Sequence, residues 1–115
     1  MSKEKQQHSL SSLEKALGIL QQSLPPNHPD LASSYSNIGL VYKDIGDYPK
    51  ALSSYEKALE IQQQSLPSNL PDLAKSYSNI GNVHTKMGNY REARTSYEHA
   101  IQIAQQTLPS NHPDA

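Results

Sequence analysis

Apolar and aromatic side chains recur along this chain at alternating intervals of four and three. One run is Leu31, Tyr35, Ile38, Tyr42 and Ile45, and the matching run further on is Leu73, Tyr77, Ile80, His84 and Met87. That spacing places each set on one face of an α-helix, with polar residues around the rest. Two further stripes follow: Tyr48, Ala51, Leu52, Tyr55, Ala58 and Leu59, and then Tyr90, Ala93, Tyr97, Ala100 and Ile101. Gly46 and Gly88 separate the stripes within each pair, where a left-handed residue ends the first helix. Asn27 and Asn69 are placed to cap the first helices, each with a proline in the first turn, and Asp47 to cap a second helix. No stretch alternates with the period of a strand.

The pattern repeats with a period of 42. Residues 24–65 and 66–107 are identical at 24 of 42 positions. Residues 9–23 match the second half of a unit, and residues 108–115 begin another. The predicted order is a lone second-type helix over 5–23, a helix pair in 24–65, a second pair in 66–107, and the start of a further unit at 108–115. Recurrence on this scale means stacked helix pairs, each burying its apolar face on its neighbours. Gly39, Gly81, Ala51, Ala58, Ala93 and Ala100 are small enough to let paired helices approach closely.

Composition narrows the function. The formal net charge is −1, which leaves no electrostatic footprint for nucleic acid. Cysteine is absent, which removes disulfides, thiol nucleophiles and cysteine-bound zinc. No apolar run approaches the roughly 20 residues that span a bilayer, and the start is too polar for a secretory signal, so a cytoplasmic location is expected. The seven tyrosines occupy repeat-equivalent positions and there is no Phe or Trp, so they read as packing residues with a hydroxyl for a polar neighbour. His8, His28, His84, His99 and His112 form no metal-ligand pair at helical spacing, and His84 reads as a hydrogen-bonded core residue. No phosphate-binding loop, nucleophile elbow or acid–base pair is present; neither catalysis nor a cofactor is expected. The Gln runs that close the second helices read as solvated surface.

The pattern Tyr35-x2-Ile38-Gly39-x2-Tyr42, followed by Gly46-x-Tyr48-x2-Ala51-x3-Tyr55-x2-Ala58, resembles the tetratricopeptide repeat. Tyr35 stands where that motif usually has Trp, Tyr55 where it has Phe, and His84 replaces the Tyr42 position in the second copy. The common repeat has 34 residues. The 42-residue form, opened by NHPD and closed by ALEIQQQS, is similar to the repeats of kinesin light chain. The resemblance implies an all-α, right-handed superhelical solenoid whose first helices line a concave groove that takes short peptide segments.

On that reading the groove band is Ser33, Ser36, Asn37, Leu40, Lys43 and Asp44 in the first copy. The second copy supplies Lys75, Ser78, Asn79, Asn82, Thr85 and Lys86. Asn37 and Asn79 are identical between copies, and an amide both donates to and accepts from an extended peptide backbone. The resemblance implies a groove asparagine at Asn79 and a groove base at Lys43. Three lysines against Asp44 make the band mildly basic, so an acidic protein segment is the expected partner. The complete carboxylate clamp of chaperone-type relatives is not expected, since Leu40 offers no polar group. Neither end of the array has a polar capping unit. Three roles stay open: a scaffold binding a partner peptide, a targeting or regulatory segment of a larger enzyme or signalling protein, and a structural repeat that self-associates through its uncapped ends.

Overall fold

The computed structural model describes residues 3–64 and 70–106. These form five helices: α1 (Lys3–Ser23), α2 (Pro29–Ile45), α3 (Tyr48–Gln63), α4 (Leu70–Met87) and α5 (Tyr90–Gln106). The connection at 66–69, the capping role expected of Asn69 and the unit expected to start at 108–115 lie outside the described residues.

Helix ends follow local chemistry, with one correction. The N-cap of α2 is His28 rather than Asn27, and its Nδ1 accepts the Asp30 N–H at 3.1 Å. Pro29 explains the shift. A residue before proline is driven to extended backbone, which is the conformation an N-cap needs, and His28 sits at φ −69°, ψ 136°. At the other end Gly46 has φ +97°, and its N–H with that of Asp47 returns to the Tyr42 carbonyl. Gly88, at φ +82°, ends α4 in the same way. Asp47 caps α3 through the Lys50 N–H at 3.4 Å.

Each helix packs on the next in chain order. The core is therefore divided among junctions. Leu31, Ala32, Ala58 and Ile61 form one cluster, closed by Leu17 and Leu20 from α1 and by Tyr35. Ala51, Tyr55, Ile80 and Val83 form the other, where α4 packs on α3, with Tyr42 of α2 and Tyr48, Leu52 and Leu59 of α3 around it. Glycine sets the helix spacing within a pair. A Cβ on Gly39 would stand 2.9 Å from the Tyr55 ring, and one on Gly81 would stand 2.7 Å from the Tyr97 ring. Any other residue there forces the ring away.

Not every stripe residue is covered. Met87, Tyr90 and Ile101 are exposed. Tyr48 and Leu59, their counterparts of Tyr90 and Ile101 one unit earlier, are packed against the second cluster because α4 lies over them. Among the described residues no helix lies over the same face of α4 and α5.

Gln21 and Gln63 are exposed, as expected of the Gln runs, and each also bonds to the next helix. Gln21 Nε2 donates to the Tyr35 hydroxyl at 3.0 Å, and Gln63 Nε2 donates to the Tyr77 hydroxyl at 3.3 Å. Both bonds span 14 residues and tie the end of one second-type helix to the next first-type helix. His84 departs from expectation: its Nδ1 is buried without a hydrogen-bond partner. Tyr42, its counterpart, is longer and donates from its hydroxyl to the Glu14 carboxylate at 3.3 Å. Among the described residues no cluster of His, Asp or Glu could hold a metal ion, and no helix is long and apolar enough to cross a membrane.

Candidate functional site

Two first-type helices, α2 and α4, flank a cavity of about 160 Å³. Ser33 lies one helical turn from Ser36 and Asn37 on α2, and Asp72, Lys75 and Asn79 follow one another a turn apart on α4. Ala32 of α2, Ile61 of α3 and Ser76 of α4 form the buried part of the lining, with Gln62 of α3 half-buried beside them. The lining runs from Pro29 to Asn37 on α2 and from Asp72 to Asn79 on α4.

Five of the twelve band residues read from the sequence therefore surround one cavity: Ser33, Ser36, Asn37, Lys75 and Asn79. The other seven fall elsewhere. Asp44 sits in the last turn of α2, and Thr85 donates its hydroxyl back to the Gly81 carbonyl. Ser78 lines a second depression of about 520 Å³ between α4 and α5, with Pro71, Ala74, Ala100, Ile101 and Ala104. Lys43 and Lys86 sit in the last turns of α2 and α4, at the far end of those helices from the cavity. Leu40 is 46% exposed and lines neither space. Asn82 accepts a hydrogen bond from the Tyr97 hydroxyl, so its carboxamide oxygen is used within the α4–α5 pair.

Three polar lining residues were not singled out from the sequence as groove residues: Asp72, Ser76 and Gln62. Asp72, in the first turn of α4, faces the cavity beside Lys75. The basic band is thus offset here by an acid, and Lys43 and Lys86 lie toward the helix C-termini, with Asp44 next to Lys43. Ser76 is 2% exposed and donates to the Gln62 Oε1 at 2.5 Å. A signal for Gln62 was available. Its counterpart one unit earlier is Leu20, which packs into the first core cluster. A polar residue replacing an apolar one in a buried stripe calls for a polar partner.

Comparison with known proteins adds the lineage. A family profile described as tetratricopeptide repeat matches residues 7–64, and a second of the same description matches residues 73–114. No curated protein matches the chain significantly. Among solved structures, BtubC (BKLC) from P. vanneervenii superposes with a TM-score of 0.82 at 25% identity, covering 95% of this chain and 44% of that one. The nearly identical TPR-like repeats assigned to a kinesin light chain of Podosopora anserina give 0.75 at 26% identity, covering 94% of this chain and 51% of that one. MamA, at 24% identity and a TM-score of 0.68, shares the fold. The chain spans about half the length of these solved chains. With both helix pairs matched in sequence and in structure, the chain belongs to the tetratricopeptide repeat family, whose stacked helix pairs serve as protein-interaction scaffolds.

Proposed function

We propose that this chain holds an extended segment of a partner protein across α2 and α4, as a kinesin-light-chain-like adaptor module built from units 24–65 and 66–107. The observation that carries the reading is the convergence of Asn37 and Asn79, from equivalent positions of two helices, on one polar cavity. Two carboxamides facing a shared hollow can pair with consecutive backbone groups of a bound strand, each as donor and acceptor. Lys43 and Lys86, in the last turns of their helices, supply positive charge that favours an acidic segment at that end.

Fluorescence anisotropy with a panel of labelled acidic and basic peptides, at low and high salt, tests this. Acidic peptides are expected to bind more tightly, and more so at low salt. Asn37→Ala with Asn79→Ala is expected to weaken binding about tenfold or more, each lost hydrogen bond contributing about 0.5–1.5 kcal/mol. Equal binding of acidic and basic peptides would remove the charge preference. Unchanged affinity in the double variant would remove the groove.

A second role is favoured by one observation. The face of α4 and α5 that carries Tyr90, Tyr97 and Ile101 has no helix over it among the described residues, whereas the same face one unit earlier is covered by α4. A second copy of this chain is the occupant proposed for it, giving end-to-end self-association alongside peptide capture.

A further inference from the structure

We infer that the cavity between α2 and α4 is a specificity subsite for one uncharged carboxamide side chain, glutamine or asparagine, of the bound segment. The inference rests on the groove reading above and names what that groove selects.

Size comes first. About 160 Å³ lies below the roughly 300–1,000 Å³ of small-molecule pockets and suits a single side chain. Charge comes second. Asp72 and Lys75 face the cavity from one wall, a helical turn apart, and among the described residues neither forms an ion pair. A ligand carboxylate gains from Lys75 and loses to Asp72; a ligand ammonium does the reverse. Either one also loses hydration on entering. A carboxamide does better, because its oxygen turns to Lys75 and its NH2 to Asp72, and both contacts are favourable without a net charge to desolvate.

Polarity of the buried lining comes third. Ser76 and Gln62 place a hydrogen-bonded pair where packing alone does not require one, since Leu20 fills the position equivalent to Gln62 one unit earlier. In the following unit the position is Ala104, which is exposed. A polar pair beside the apolar Ala32 and Ile61 is therefore particular to the α2–α4 junction. An apolar side chain seated there takes water from Asp72, Lys75, Asn37 and Asn79 without replacing its hydrogen bonds.

The test uses four small probes rather than an unidentified partner: the N-acetyl N-methylamides of glutamine, glutamate, lysine and leucine. Each is titrated into the intact chain while the backbone amide resonances of Asn37, Ser76 and Asn79 are followed by NMR. The glutamine probe is expected to bind tightest, by about two- to fivefold over the charged probes, the scale of one exposed ion pair. Asp72→Asn is expected to move the preference to the glutamate probe, and Lys75→Met to the lysine probe. Gln62→Leu is expected to keep the fold and to favour the leucine probe. Absence of saturable shifts with any probe overturns the inference, as does a charged probe binding best to the wild type or an unchanged rank order in the charge variants. Failure here is separable from failure of the groove: peptides that bind equally with alanine or glutamine at every position sink the subsite alone, whereas peptides that do not bind at all sink the groove.

Discussion

Tyr55 shows how far one position can be set by its surroundings. It is 2% exposed, and burial, with a smaller contribution from the Asp44 carboxylate, pushes its hydroxyl up to about 12. An unfolded tyrosine titrates near 10. Between about pH 10 and 12 the folded chain keeps this proton while the unfolded chain loses it. The contribution to stability is therefore complete below 10 and disappears as pH rises through 12. Urea midpoints measured across that window are expected to fall more steeply for the wild type than for Tyr55→Phe; parallel slopes would contradict the assignment. The stripe that put Tyr55 in the core was legible in its spacing. Its exposure of 2%, against half-burial for Tyr97, was not, because only the presence of α4 over α3 distinguishes them. The same holds for His28. Asn27 is the better capping residue by type, but Pro29 decides which residue takes the cap backbone.

Among the helices, Gly39 and Gly81 are the positions where a Cβ would crowd the tyrosine ring of the paired helix. Alanine favours a helix interior over glycine by about 1 kcal/mol, which works for substitution. Overpacking works against it by about 1–3 kcal/mol. At Gly39 the clash wins, because the Tyr55 ring that must move is enclosed by α4. At Gly81 the Tyr97 ring is only half-buried and has room to give. Gly39→Ala is expected to lower stability by about 1–2 kcal/mol and Gly81→Ala by less, read from urea unfolding. Equal losses would show that α4 does not hold the Tyr55 ring. Both glycines were identifiable as packing residues from their recurrence 42 positions apart. Which of the two is confined depends on the neighbouring pair.

For the whole molecule, a radius of gyration of 15.4 Å exceeds the about 13 Å of a compact domain of similar size. Extents of 48 × 36 × 21 Å describe a slab that grows by stacking. Such an array has junction cores and open faces in place of one closed core. Tyr90 is 70% exposed and Ile101 56% exposed, at positions whose counterparts are packed. Sedimentation velocity over a range of concentrations is expected to show reversible association of the chain. Tyr90→Lys with Ile101→Lys is expected to abolish it while helix content stays the same. A monomer at every concentration would sink this second role and leave the groove untouched.

Helix content, the breaks at Gly46 and Gly88, the 42-residue recurrence and the stripe that faces inward were all determined by the sequence. Helices, breaks and stripes depend on residues within a turn or two of one another, and the recurrence is read directly by aligning the chain with itself. Tertiary structure alone decided that Asp72 and Lys75 share a cavity with Asn37, that Gln62 meets Ser76, and that Asn82 is spent on Tyr97 while Asn79 faces the cavity. Those outcomes depend on how separate helices pack against one another. A few ångströms of packing between side chains of different helices set them, and no local pattern encodes that.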